Sequence, residues 1–471
     1  MRVTVIGAGI SGLSAAYWID ARMRARGRAA DVTVLEAGER AGGNVHTLRE
    51  DGFLVEAGPN GWLDREPAAR ALLSDLGLAP HVVTARPAAR HRFIVRAGRL
   101  CRVPDSPPAL VSSPALSPLG KLRLLFEPFA AGPPRDVEET VFEFARRRIG
   151  SEASEYLVDA AVSGISAGDS RRLSVRAAFP LMVEMEREHG SLIRAMIARR
   201  KTAGPASLVS LDRGLSMAID ALERSLGARL RLRARARAIR REAGEWRVAT
   251  AGGEVAADRL VLALPAARAA EQVETLDPEL SADLGAVPAA GLAVVALAYR
   301  AADVTHALEG YGHLVTRGEK QVTLGVVWES SLFDGRAPEG TVLLRAMVGG
   351  VRNPGCAELS PDALAERATA EMTPLLGMRG EPLRRWVFRW PAAIPQYERG
   401  HIERVRRMRA AAARHPGLEL CGTSYDGIAF SAAIAAADRL ASQHATDAAG
   451  NGAGPSATLA AGSFANEGGG R

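Results

Sequence analysis

The apolar and polar positions of this chain repeat with two periods, and the alternation between them outlines its elements. Val3-Thr4-Val5-Ile6 is a short apolar strand, and a helix is predicted over 11–28. Asp31-Val32-Thr33-Val34-Leu35 is a second strand, ending on Glu36. Phe53 to Glu56 is a third, running into the glycine-proline loop Gly58-Pro59-Asn60. Arg92-Phe93-Ile94-Val95 and Leu100-Cys101-Arg102-Val103 form a hairpin around Ala97-Gly98. The stretch 104–201 is first broken by proline, then helical and basic, with helices over 119–129, 137–148, 152–162 and 179–200. The α/β pattern returns at Ser207, with a helix over 215–226, strands over 245–249 and 259–264, and a strand-rich region over 291–388. The run 229–237 alternates Arg with Leu or Ala, which predicts a strand with one basic face. A strand over 418–420 and a helix over 427–443 close the fold. The Gly-, Ala-, Ser- and Asn-rich 445–471 is predicted to be disordered.

The first strand runs into Gly7-Ala8-Gly9-Ile10-Ser11-Gly12. Gly7 allows a tight turn, Gly9 lets backbone approach a pyrophosphate, and Gly12 lets helix and strand pack closely. Phosphates then sit on the helix N-terminus, and Glu36 at the end of the second strand can hydrogen-bond a ribose. Strand, glycines, helix, strand and acid in this order predict dinucleotide binding. Glu36-Ala37-Gly38-Glu39-Arg40-Ala41-Gly42-Gly43-Asn44 resembles the second fingerprint of the flavin amine oxidase superfamily. Gly42 and Gly43 let backbone pass against a diphosphate, and Arg40 can place a planar charged fork near it. A nicotinamide enzyme has no use for this second glycine site, so FAD is favoured over NAD.

The C-terminal strand-turn-helix offers a matching end. Leu420-Cys421-Gly422 leads through Ser424-Tyr425-Asp426-Gly427 to Ile428-Ala429-Phe430, the start of an alanine-rich helix. The N–H groups of Ile428 and Ala429, aimed at an isoalloxazine, would stabilise the negative charge that gathers there on reduction.

Composition sets limits. The chain has 471 residues, enough for two or three domains, and a formal net charge of +7. Its basic residues are arginines apart from Lys121, Lys201 and Lys320, and no aromatics interleave with the densest arginine run, so nucleic-acid binding is not expected. Cys101, Cys356 and Cys421 are widely spaced without a CxxC pair, which argues against disulfides and metal. The first strand leaves no room for a cleaved signal peptide, and no apolar run reaches the ~20 residues of a spanning helix.

Five further stretches resemble the oxygen-dependent protoporphyrinogen oxidase family over nearly the whole chain apart from the tail. They are Gly58-Pro59-Asn60, Arg92 to Val95, Gly164-Ile165-Ser166-Ala167-Gly168-Asp169, Gly310-Tyr311-Gly312-His313-Leu314-Val315 with Leu324 to Val327, and Ile394-Pro395-Gln396-Tyr397 with Gly400-His401. The resemblance implies an α/β fold: a Rossmann-like FAD-binding domain built from 1–91, 205–270 and 395–444; a mixed-sheet substrate domain from 92–102 and 271–394; and an inserted helical, membrane-associated domain over 103–204. It implies non-covalent FAD, with Gly58, Pro59, Asn60 and Gly422 among its contacts, and no metal. It further implies oxidation of protoporphyrinogen IX to protoporphyrin IX in haem synthesis, by hydride transfer from a meso carbon to the flavin and reoxidation by molecular oxygen with release of hydrogen peroxide. Arg92, with Arg96 as its rival, would pair with a propionate. Tyr311, Leu314, Val327 and Met347 would line the macrocycle, and Gly164 and Gly312 would leave room for it. Tyr311 stands where the family often has Phe. No protein group is assigned as a general base. The implied location is the cytoplasm, on the inner face of the cell membrane, and the partners admitted are a second copy of the chain and the next haem-pathway enzyme. The rivals are a flavin amine oxidase or carotenoid-type desaturase, for which Lys320 is the lysine to weigh, and a nonenzymatic FAD-bearing surface protein.

Overall fold

The computed structural model describes residues 1–134, 137–202 and 207–447. The predicted tail therefore lies outside the described residues from 448 on, and 445–447 belong to the last helix, Phe430–Asp447.

A five-stranded parallel sheet carries the two ends of the chain. Its order is Leu230–Arg231, Asp31–Leu35, Arg2–Ile6, Arg259–Leu262, Leu418–Leu420. Both faces are covered, as an all-parallel sheet requires. Val3, Val5, Val34 and Val261 pack on helices Ile10–Ala25, Ser216–Leu226 and Phe430–Asp447. Ile6, Leu35, Leu260 and Leu262 face the three-stranded layer spanning Ala238 to Ala257 and helices Ala266–Val273, Pro278–Gly285 and His401–Ala413. Because Leu418–Leu420 pairs with Arg259–Leu262, the C-terminal turn returns beside the first glycine loop.

The second sheet is mixed. Its seven strands run Arg384–Pro395, Ala289–Arg300, Thr341–Gly349, Thr323–Trp328, Gly312–Val315, Arg92–Arg96, Arg99–Arg102, and only Gly312–Val315 with Arg92–Arg96 is a parallel pair. Val295, Val326, Trp328, Ala346 and Val348 on one face bury against Leu364, Ala368 and Met372 of helix Pro361–Leu376. The opposite face meets the Gly58 loop at Arg345 and the helix Asp159–Ser166 at Leu314. The hairpin forms as expected, with Ala97 and Gly98 both at positive φ (+52° and +69°), as its two-residue turn demands.

Three expectations are corrected. The arginine run 229–237 is not one strand: only Leu230–Arg231 pairs, at the sheet edge. Arg233 then turns to φ +55°, and the N–H groups of Arg233 and Ala234 donate to the carbonyls of Gly38 and Glu36. The chain follows the loop after Glu36 instead of the pleat, a tertiary constraint that alternation cannot report. The helix expected over 179–200 is two, Pro180–His189 and Leu192–Thr202, parted by Gly190 at φ +64°. The last helix begins at Phe430, after a separate single turn at Thr423–Asp426.

Candidate cofactor and substrate site

At Gly7 the backbone takes φ +103°, and a Cβ there would lie 2.5 Å from the carbonyl oxygen of Ala263. At Gly12 it would lie 2.0 Å from the Gly7 carbonyl oxygen, so strand and helix touch. At Gly9 it would meet nothing within 4 Å. Open space therefore lies over the middle glycine only. Gly9 is also the N-cap of the 16-residue helix, with no side-chain cap and no acid in the first turn. The amides of Ile10, Ser11 and Gly12 are thus left with the positive end of the helix and no side-chain acceptor, the arrangement that suits a diphosphate.

Glu36 sits beside this turn, accepting from the Ala8 N–H at 2.9 Å and the Gly38 N–H at 2.7 Å. A carboxylate has about four acceptor sites, so these two bonds fix its place and leave capacity for ribose hydroxyls. Ala37 is exposed at the lip. The second glycine site closes on the first: the Gly42 N–H donates to the Ala8 carbonyl at 2.7 Å, and a Cβ on Gly43 would lie 3.3 Å from the Gly9 Cα. The Arg40 guanidinium donates to the carbonyls of Ala41 (2.9 Å) and Gly43 (2.8 Å) and so is held against this turn.

The third loop is held as tightly. A Cβ on Gly58 would fall 1.8 Å from the Asn44 carbonyl oxygen, and the Asn44 amide donates to the Ala393 carbonyl at 3.0 Å. Pro59 is followed by Asn60, whose side chain donates to Glu329 at 3.2 Å and whose carbonyl accepts from the Ser210 hydroxyl at 2.8 Å. Gly422, at φ +135°, has Ser11 as its nearest neighbour, 3.7 Å from a would-be Cβ. Ile428 is half-buried and Ala429 exposed, just ahead of the final helix. The two N-terminal glycine turns and the Gly422 turn thus meet beside the open side of Gly9, and the Gly58 loop joins them through Asn44, a cradle that fits FAD.

The mixed sheet supplies the other wall. Its register aligns Ile94, Leu314, Gly325, Met347 and Val294 in one row, and Arg92, Gly312, Val327 and Arg345 in the next. Leu314, Val327 and Met347 are half-buried, unlike the fully buried residues of the opposite face. Tyr311 packs with Val327 and Leu332, and burial pushes its phenol pKa up. The Arg92 guanidinium lies 5.5 Å from the Tyr311 ring centroid and is otherwise exposed. Arg96 is engaged elsewhere: it donates to Glu152 at 2.9 Å and stacks 4.0 Å from the Tyr156 ring centroid, tying the hairpin to the helical insertion. At Gly164 a Cβ would lie 2.2 Å from Leu314 Cδ2, and at Gly312 1.9 Å from the Val326 carbonyl oxygen, so protein atoms already fill the space beside both glycines.

Sequence reasoning missed the polar group beneath this wall. Arg345 donates to Glu329 at 2.6 Å and to the Gly58 carbonyl at 3.0 Å, and both side chains are almost fully buried. A signal existed: Arg345 is the one charge in the nine-residue strand Thr341–Gly349. Trp390, which donates to the Ala57 carbonyl at 2.7 Å beside the third loop, was also missed. Beneath the third loop, burial pushes the Glu56 carboxyl up to about 7, against the opposing pull of Arg336 and of bonds from Leu215 N–H and Thr47 hydroxyl.

The fold and the cradle together define a flavin enzyme. Residues 10–443 match the family described as flavin containing amine oxidoreductase. The chain belongs to that family and is an FAD-dependent oxidoreductase. Its relatives narrow the kinship. It is 33% identical to human protoporphyrinogen oxidase, covering 92% of this chain and 96% of that protein. It is 28% identical to coproporphyrinogen III oxidase of Bacillus subtilis, covering 90% and 94%. A solved structure from Exiguobacterium sp. 255-15, provisionally named a protoporphyrinogen oxidase, superposes with a TM-score of 0.82 at 28% identity, covering 95% of this chain and 99% of that one. A putrescine oxidase structure, at 17% identity and a TM-score of 0.70, shares the fold.

Proposed function

We propose that this chain oxidises protoporphyrinogen IX to protoporphyrin IX, with non-covalent FAD and with molecular oxygen as the final acceptor. The observation that carries the reading is the half-buried apolar patch formed by Leu314 and Met347 in one row of the sheet and Val327 in the next, with the exposed cation Arg92 at the edge of that second row. That is the chemistry a carboxylate-bearing tetrapyrrole needs: a greasy floor and a fixed positive charge. When bound, FAD supplies the two-electron acceptor that this chain's side chains lack. Ile10, Ser11 and Gly12 would hold its diphosphate, Glu36 its ribose, and Ile428 and Ala429 its ring. Tyr311 and Arg92 would orient the substrate, and the sheet would keep water from the reacting face. Anaerobic mixing of the holoenzyme with the porphyrinogen should bleach the flavin band, and an unchanged spectrum would end the proposal. Coproporphyrinogen III is the second reading, favoured by the B. subtilis relative; faster bleaching by it than by protoporphyrinogen IX would select it. The lysine-assisted amine oxidase loses support because Lys320 is exposed, adjoining Glu319, which caps the Ala97-Gly98 turn at the far end of the hairpin.

We assign the parallel-sheet unit to the cofactor and the mixed sheet to the substrate, with their boundary at Pro288, because helix Pro278–Gly285 packs with the cofactor unit. The helical insertion would meet the inner membrane surface. Leu119 and Phe129 are each 78% exposed, Leu122, Leu125 and Phe126 are exposed beside them, and Lys121 and Arg123 interleave. Among the described residues no helix is long and apolar enough to cross a membrane. Vesicles with anionic lipid should sediment the protein, less so at high salt; no sedimentation at either would remove this surface from the proposal.

A further inference from the structure

The segment Ile394-Pro395-Gln396-Tyr397 has no role in the sites above, yet it touches both. The Gln396 amide donates to the carbonyls of Ser166 (2.9 Å) and Ile394 (3.0 Å), and a Cβ on Gly168 would lie 2.4 Å from its Oε1. The Tyr397 carbonyl accepts from the Ser174 N–H at 2.8 Å. The segment is thus anchored on the helix end that carries Gly164. From that anchor the Tyr397 ring stacks on His401, with centroids 4.1 Å apart and planes 13° from parallel. Its hydroxyl reaches the C-terminal turn, donating to the Thr423 carbonyl and accepting from the Gly427 N–H at 2.8 Å.

This turn is bounded by glycines at both ends, Gly422 at φ +135° and Gly427 at φ +113°, and its backbone bonds close on the first end, where the Gly422 carbonyl accepts from the Tyr425 and Asp426 N–H groups. Its other side-chain tethers are Ser424, whose hydroxyl accepts from the Ala266 N–H at 3.0 Å, and Asp426, paired with Arg409 at 2.5 Å and Arg439 at 3.6 Å. Those arginines are more than half exposed and hold weakly in water, so toward Gly427 the Tyr397 hydroxyl is the tether that water does not weaken. Burial pushes the Tyr397 phenol well above its ordinary range, so the hydroxyl keeps the proton it must donate.

We propose that Tyr397 is a positioning residue for the flavin: its hydroxyl clamps the turn 422–427 so that the N–H groups of Ile428 and Ala429 keep a fixed aim at the ring edge where charge gathers on reduction. The inference rests on the flavin placement above. Preorganised donors stabilise developing charge because they need not reorient during the reaction. Loosening them lowers the flavin's electron affinity without removing any contact to FAD or substrate.

The test is Tyr397→Phe in the holoenzyme, which keeps the ring stack and deletes the hydroxyl. FAD content should stay at the wild-type level. Sulfite, which adds to the flavin and leaves negative charge on the ring, should bind about tenfold more weakly. The two-electron potential should fall by about 30 mV, the equivalent of that factor. Porphyrinogen KM should hold while the rate of flavin reduction falls. Unchanged sulfite affinity and potential would overturn the proposal, because a merely structural tie lowers the melting temperature and moves neither. A wild-type chain that takes up no FAD would instead sink the flavin placement itself. Should Y397F fail to fold, amide exchange in the wild-type holoenzyme decides: a protected Gly427 N–H supports the clamp, and exchange at the unstructured rate overturns it.

Discussion

Arg345→Met tests a buried ion pair of the mixed-sheet unit that reaches the cofactor unit through Gly58 and Asn60. Arg345 and Glu329 have side chains only 5% and 2% exposed. The substitution removes two bonds, to Glu329 at 2.6 Å and to the Gly58 carbonyl at 3.0 Å. Glu329 is then left with the Asn60 amide at 3.2 Å, and its Oε2 already has no partner among the described residues. Breaking a buried pair from one side costs about 3–5 kcal/mol, mostly because the surviving charge is stranded. Methionine fills much of the vacated volume, so the lower half of that range is expected. The comparison that isolates the cause is the double variant Arg345→Met, Glu329→Gln, in which no charge remains. Its cost should fall to about 1–2 kcal/mol, about 2 kcal/mol less than that of the single variant. Urea unfolding followed by tryptophan fluorescence and by circular dichroism gives the numbers, provided the two transitions coincide. The reasoning is refuted if the single variant costs less than about 1 kcal/mol, or if the double variant is as unstable as the single.

Other substitutions probe the rest. Gly12→Ala pushes a methyl to 2.0 Å from the Gly7 carbonyl oxygen, so strand and helix must part; the purified protein should lose FAD and about 1–3 kcal/mol of stability, and full flavin content by absorbance would contradict the packing. Arg92→Leu should raise porphyrinogen KM about tenfold with kcat nearly unchanged, since it removes a contact made equally before and during reaction; an unaltered KM would leave the propionate without its partner. Burial lowers the pKa of His313 to about 3 and of His401 to about 4, against an ordinary 6.5. Both are neutral in the folded chain while the unfolded chain takes up protons below pH 6.5, so their contribution is present above 6.5 and lost as pH falls toward 4 and then 3. For His401 the loss is about 3 kcal/mol. His401→Phe should flatten the stability profile between pH 6.5 and 4, and an unchanged slope would reject the assignment.

The sequence by itself determined whatever depends on near neighbours. The turn Gly7 to Gly12 needs glycine where backbone meets backbone, and Glu36 ends a strand at a distance set by one crossover, so strand, helix, cofactor class and even the Ala97-Gly98 hairpin are legible without coordinates. The half-buried patch of Leu314, Val327 and Met347 was reachable only through family resemblance, because period-two alternation does not say which face of a sheet is covered. Tertiary structure alone decided that: helix Pro361–Leu376 covers one face, and the other meets the Gly58 loop at Arg345 and the Gly164 helix at Leu314. It also engaged Arg96 with Glu152, leaving Arg92 exposed, turned the arginine run away from the pleat at Arg233, and brought Tyr397 to Gly427. The physical reason is the same in each case. Turn and helix signals are local free energies written in a few adjacent residues, whereas the partner of a charge or a hydroxyl is chosen by chain segments from different elements that meet only when the core closes.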